Sequence, residues 1–167
     1  MEDYAALFGF FGAMLIGYVI VGLFGIIVYI YSSIITMKVL QRLGYDKTWM
    51  AWIPIANMYA WATALYGGIE EVNIDIANRS IPTWVMQWYS PIVALATIVL
   101  SRTPIGGLVL LLVIIVQILC FGQIHKDTMK RVAGIEVEVV EQVIVGVVNL
   151  VSIIRLHMNM KQTELRE

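Results

Sequence analysis

Few side chains in this 167-residue sequence are of types that carry chemistry, and their spacing limits what they can do. The histidines are His125 and His157, the single cysteine is Cys120, and Glu136, Glu138 and Glu141 form a short acidic series. One cysteine excludes an intrachain disulfide and any CxxC metal or redox motif, and inside an apolar run it reads as an inert buried thiol. His125 stands beside Lys126 and Asp127, which suits a polar residue at the headgroup level of a bilayer. A metal or proton-relay role for it would need partners that the sequence does not place nearby. The three glutamates could pair on a divalent cation, but a solvated helix start, where negative charge meets the helix dipole, accounts for them as well. No phosphate loop, HExxH, GxSxG or GxGxxG pattern occurs. The sequence therefore predicts no catalytic residue, no metal site and no cofactor.

What must position these residues is overwhelmingly apolar. Sixty per cent of the chain is hydrophobic and 14% charged, against roughly 45–50% and about 25% in soluble domains. A soluble domain of this size has too much surface for its volume to hide that excess, so lipid is the expected solvent. Eleven basic residues balance twelve acidic ones without a concentrated basic face, which argues against a nucleic-acid partner.

Formal charge is missing from residues 4–37, 48–69, 80–101, 103–124 and 142–154. Crossing the hydrocarbon core takes about 20 apolar residues at 1.5 Å each. The predicted class is all-α: a polytopic helical membrane protein in one domain. It has about three transmembrane helices, a re-entrant or interfacial Pro-kinked segment, and a C-terminal amphipathic helix. The first helix is predicted over 5–42, with Gly9, Ala13, Gly17 and Gly25 on one ridge as a packing face for another helix, in this chain or a second copy. Gly44 offers its stop, and Thr48 a cap for the next segment. Residues 82–101 and 104–125 are predicted as a transmembrane hairpin, with a kink at Pro91 and early helix positions for Pro82 and Pro104. Residues 135–160 read as an amphipathic helix, with Glu138, Glu141, Gln142, Asn149, Ser152 and Asn159 on one side. It lies along the surface or turns its polar stripe into a bundle. The tail from Lys161 reads as polar and mobile.

The segment 48–68 is distinctive. Trp49, Trp52, Tyr59 and Tyr66 share one side of a helix, and Trp and Tyr favour the headgroup level. With Pro54 inside, a broken interfacial helix or a re-entrant hairpin fits better than a plain span. Asn57 beside Pro54 then has the job of stabilising the turn.

Basic residues collect on the cytoplasmic side. If 48–68 does not cross, one side holds Lys38, Arg42, Lys47, Arg79, Lys126, Lys130, Arg131, Arg155, Lys161 and Arg166, and the other only Arg102. That arrangement has an outside N-terminus and a cytoplasmic C-terminus. The acidic N-terminal residues and the length of the apolar run after them are not those of a secretory signal. The sequon Asn78-Arg79-Ser80 falls in a cytoplasmic loop on this arrangement and carries no glycan.

The block Trp49-Met50-Ala51-Trp52-Ile53-Pro54-Ile55-Ala56-Asn57-Met58-Tyr59, after a helix ending Lys38-Val39-Leu40-Gln41-Arg42-Leu43-Gly44, resembles a family of small, uncharacterised multi-pass membrane proteins of bacteria. In these a Trp-x-Pro-Ile-x-Asn-x-Tyr element comes after the first helix. The resemblance covers roughly residues 15–130 and includes a glycine near a turn, here Gly67-Gly68. The acidic stretch Glu70–Asp75 is longer than the pattern, and the segment after 135 has no counterpart. The resemblance implies a bacterial cytoplasmic membrane location and supplies no catalytic residue.

Two functions remain open on the sequence. The first is a non-enzymatic structural or accessory subunit, which packs against another membrane protein or its own copies in the lipid bilayer; the lack of charge at mid-depth in the long runs favours it. The second is a small channel or carrier component, with Gln117 and Asn149 lining a polar path.

Overall fold

In a computed structural model the chain is mostly helical; the backbone is described for residues 2–100 and 103–164, and side chains for 9–100 and 103–163. In order come α1 (Glu2–Arg42), a 3-10 turn (Thr48–Trp52), α2 (Ala56–Tyr66), β1 (Glu71–Ile74), β2 (Arg79–Pro82), α3 (Thr83–Leu100), α4 (Gly106–Ala133), α5 (Val139–Val147) and α6 (Asn149–Glu164). Two compact units divide between Ser32 and Ser33. Arg102 and Arg166, which count toward the charge asymmetry, lie outside the described residues.

The first unit is helical throughout its described length, and every residue from Gly9 to Ile27 is exposed. Among the described residues the stripe Gly9, Ala13, Gly17 and Gly25 is therefore open, with no atom of theirs within 4 Å of where a Cβ would stand on its glycines. Among the described residues three helices, Gly9–Arg42, Thr83–Leu100 and Gly106–Ala133, are long and apolar enough to cross a membrane.

The second unit has a closely packed end and an open apolar end. Val39, Leu40, Ala60, Trp61, Met86, Ile124, Met129 and Leu156 are fully buried. Leu95, Ile98, Leu108, Leu111 and Leu112 are more than half exposed. The closed end, here called the base, joins the end of α1, α2, the β-hairpin, the start of α3, the last third of α4, and α6. Local rules account for its helix ends. Gly44 (φ +74°) stops α1, with the Tyr45 amide bonded back to the Leu40 carbonyl. Gly134 (φ +67°) ends α4, its amide reaching the Lys130 carbonyl while that of Ile135 reaches Met129. Such left-handed caps are cheap only for glycine, and Lys130 and Arg131 in the last turn suit the negative end of the dipole.

Several expectations need correction. Residues 48–68 have the break expected at Pro54, a 3-10 turn before it and a separate α2 after it, but Thr48 provides no side-chain cap. The four aromatics do not share an environment: Trp49 is 59% exposed, while Tyr66 is 4% exposed beneath α4. The acidic loop contains a short antiparallel hairpin, Val72 opposite Ile81 and Ile74 opposite Arg79, in a fold that is otherwise helical as the all-α class expects. Val72 and Ile74 point inward while Glu71 and Asn73 point out. Asn78 takes φ +47° in the turn, a conformation asparagine tolerates better than most residues. Thr83 closes the hairpin onto the chain before it, its hydroxyl donating to the Ile69 carbonyl at 2.6 Å. Pro82 ends β2 rather than opening α3, and Pro104 stands in the turn before α4, which continues past 125 to Ala133. The amphipathic segment is two helices, and its last described residues from Lys161 to Glu164 continue α6.

Candidate functional site

The C-terminal third of α4 gathers nearly all the polar side chains that the fold brings together. On one side it meets α2 and the β-hairpin. The Trp61 indole donates to Thr128 Oγ1 at 2.7 Å, and its ring meets Phe121 edge-on with centroids 6.0 Å apart. Tyr66 donates to Asp127 Oδ2 at 2.6 Å. Gln123 donates to the same carboxylate, while its own carbonyl oxygen accepts from the Asp75 backbone amide at 3.2 Å. Lys126 pairs with Asp75. Burial, with the Asp127 carboxylate alongside, pushes the Tyr66 hydroxyl well above the usual phenol range, so it remains a donor. A cavity of about 400 Å³ opens here, and Tyr66, Asp75, Gln123, Lys126, Asp127 and Arg131 are among its walls. Glu71, Asp75 and Asp127 in that lining offset Lys126, Lys130 and Arg131, which leaves the cavity no net charge with which to select an ion.

The other side of α4 meets α5 and α6. Glycines set the distance. A Cβ on Gly146 would stand 2.5 Å from Ile118 Cα, and one on Gly122 would stand 2.8 Å from the Gln142 carbonyl oxygen. Gly146 meets Ile118, Gln142 meets Gly122 and Glu141 meets His125, so α5 runs antiparallel to α4. Past the break at Val148 the contacts run the other way. Asn149 Oδ1 accepts from Gln117 at 3.2 Å, and Ser152 Oγ lies 2.6 Å from His125 Nδ1. The segment is therefore a helical hairpin whose tip lies about 12 Å along α4 from His125, eight residues at 1.5 Å each.

His125, Ser152, Glu141 and Arg155 form one chain of contacts. His125 Nε2 is 3.3 Å from Glu141 Oε1, and Arg155 grips both oxygens of Glu141 at 3.0 and 2.6 Å. A hydroxyl, an imidazole and a carboxylate in line is the arrangement that activates a serine. Here His125 and Ser152 are both 0% exposed. The nearby cavity is lined by Glu141 and Arg155 with Val140, Ile144 and Val151, and neither His125 nor Ser152 is among its described walls. What the chain of contacts does is hold the hairpin: Ser152 fixes α6 to α4, Glu141 fixes α5 to α4, and Arg155 fixes α6 to α5. Gln142, also buried, adds a 3.4 Å bond to the Val137 carbonyl, and its Oε1 has no partner among the described residues.

These contacts correct the reading of His125 as a headgroup-level residue. Its partners stand 16 and 27 residues further on, a separation no local pattern can signal. Gln117 and Asn149, expected as a polar lining, come together with their side-chain amides bonded to each other. The acidic series stays together on one cavity, but Glu136 pairs with Lys130 and Glu141 with Arg155. Among the described residues no group of three or more His, Cys, Asp or Glu side chains could hold a metal ion. Of the block residues, Tyr59 meets Trp88 edge-on at 5.3 Å, and both line an apolar cleft of about 440 Å³ with Ile53 and Pro91. Trp49 and Trp52 are exposed, and Asn57, in the first turn of α2, has its Oδ1 buried without a partner among the described residues. No family model, curated protein or solved structure matches this chain.

The Glu141–Arg155 contact gives the hairpin a pH dependence. The Arg155 hydrogen bonds hold the Glu141 carboxyl below its ordinary value of 4.5, against an opposing effect of partial burial. A depressed carboxylate contributes stability that is fully present above the unfolded value and lost as pH falls through the folded one. Protease access to the tip around Val148 is therefore expected to rise on acidification below about pH 4.5. Glu141→Gln should raise that access at neutral pH and flatten the part of the profile that Glu141 contributes. An unchanged acid limb in Glu141→Gln would assign the effect to other groups.

Proposed function

We propose that this chain is a non-enzymatic integral membrane protein that crosses the bilayer three times and serves as a structural or accessory subunit of a membrane assembly. The N-terminus is outside and the base is cytoplasmic, in a bacterial cytoplasmic membrane, as the resemblance of the Trp49–Tyr59 block implies. One observation carries the placement: beside an apolar core, large apolar side chains cover much of the outside. Ser33, Thr36, Gln123, His125, Gln142 and Ser152 are buried, whereas Leu95, Ile98, Leu111, Val140, Ile144 and Val147 are exposed. Exposed apolar area of this extent marks a surface solvated by lipid or covered by a partner. All nine described lysines and arginines belong to the second unit, at or near its base, which supports a cytoplasmic base.

The subunit role is supported by what the polar groups do. Those at the centre of the protein bond one another and hold helices together, and Gln117 and Asn149 occupy each other rather than a path. The open stripe Gly9, Ala13, Gly17 and Gly25 offers close backbone approach to a partner helix.

The test uses membranes carrying Cys120→Ser with a new cysteine at Glu70. A membrane-impermeant maleimide should label this cysteine from the cytoplasmic face alone; labelling from outside would overturn the orientation. Cysteines placed at Gly17 in the same membranes should cross-link to a second copy or to another membrane protein. A monomer without cross-linked species would remove the subunit reading.

A further inference from the structure

The α5–α6 hairpin has a foot and a tip of opposite character. At the foot Arg155 donates to both oxygens of Glu141. These two residues stand seven positions before and after Val148, at the break between the helices, and residues 142–154 between them carry no formal charge. Gln142, Gly146 and Ser152 are buried on the inner side. Val143, Ile144, Val147, Val148 and Ile154 are exposed on the outer side.

α4 fixes how far the tip reaches. Gly146 lies against Ile118, and Asn149 bonds to Gln117. Ile118 stands eight residues before Lys126, the first charge after the uncharged run of α4. That is about 12 Å along the axis. Half the hydrocarbon core of a bilayer is about 15 Å thick, so a tip at this level enters one leaflet and stops short of the middle. Beyond the tip the apolar surface continues along α4 through exposed Ile115, Ile114, Leu112 and Leu111. A helix break at such a depth requires its polar groups to be satisfied within the protein. Here the Val148 amide reaches the Ile144 carbonyl at 2.9 Å, the Val151 amide reaches that of Val148 at 3.0 Å, and Gln117 holds the Asn149 side chain.

We propose that α5–α6 is a re-entrant hairpin, inserted into the leaflet on the base side without crossing, and that its outer face of Val143, Ile144, Val147, Val148 and Ile154 contacts lipid acyl chains. This adds a fourth membrane element to the three crossings and rests on the membrane placement proposed for them. The Glu141–Arg155 pair closes the foot of the hairpin at the headgroup level. A protein partner would also cover the valines, but it would not require an uncharged length matched to the depth of one leaflet.

The experiment places a nitroxide on single cysteines of the full chain carrying Cys120→Ser, in phosphatidylcholine vesicles. Collisions with oxygen, which concentrates among acyl chains, are compared with collisions with a water-soluble nickel chelate. Cysteines replace Ile144 and Val147 on the hairpin, Glu138 before its foot and Leu111 on α4, all exposed. Labels at 144 and 147 should favour oxygen, as one at 111 does, and the label at 138 should favour nickel. The 147 label should lie about 4.5 Å deeper than the 144 label, three residues at 1.5 Å each. A label at Val143, exposed on the same hairpin, gives a separate reading should the 147 variant misfold. Nickel collisions on the hairpin as frequent as at 138 would overturn the proposal. Shielding of 143, 144 and 147 from both reagents would also overturn it, giving the face to a second copy or another protein. Either result with an oxygen-favouring label at 111 defeats this proposal alone, whereas a nickel-favouring label at 111 defeats the membrane reading.

Discussion

Gly146→Leu is expected to release α5 and α6 from α4, with protease access to the Val148 region and loss of the Ser152–His125 contact. The cause is a backbone-to-backbone approach. Even a methyl group on residue 146 would stand 2.5 Å from Ile118 Cα and 3.1 Å from its carbonyl oxygen, neither of which can rotate away. Gly146→Ala alone should therefore cost about 2–3 kcal/mol, the upper part of the range for overpacking. Gly122→Ala, which meets the Gln142 carbonyl, should behave alike. Gly107→Ala is the control, since nothing lies within 4 Å of its Cβ position and alanine favours the helix by about 1 kcal/mol. Denaturant unfolding in detergent, monitored by circular dichroism, reads all three. Equal stability of the 107 and 146 variants would show that α5 does not lie against α4 as described.

Trp61→Ala should destabilise the base by about 3–5 kcal/mol, the range for deleting a large buried aromatic. Trp61 is 0% exposed, packs edge-on against Phe121 and donates to Thr128, so truncation leaves a cavity and removes a partner from a buried hydroxyl. Trp61→Phe separates the two effects. It keeps most of the ring volume and should cost far less than alanine, the loss including the hydrogen bond's net contribution of about 1 kcal/mol. The same unfolding measurement applies. A loss below about 1 kcal/mol for Trp61→Ala would mean that α2 is peripheral rather than central to the base.

How much of this was legible in the sequence depended on the range of the force involved. The three long helices come from uncharged runs of helix length, which any segment records within itself. Gly44 announced the end of α1 because a left-handed residue after a helix is a one-residue requirement. The β-hairpin left a faint signal in Val72 and Ile74 with Asn78 at the turn, but strands of four residues carry too few alternations to outweigh an acidic loop. The break between α5 and α6 left none: neither glycine nor proline stands at Val148 or Asn149. There the chain turns because Asn149 and Ser152 bond to α4, which no property of residues 139–160 encodes.

By itself, the sequence determined the number of long apolar helices, the excess of hydrophobic surface and the clustering of cations between the runs. All are sums or periodicities along the chain. Only the tertiary structure decided that His125 is an internal strut, that Gln142 and Ser152 of the last segment turn inward in a hairpin, and that Lys38 and Lys161 share one pocket. Each of these depends on residues far apart in the chain meeting at hydrogen-bond or van der Waals distance. Such meetings are fixed by close packing of the whole base, not by the preferences of any one segment.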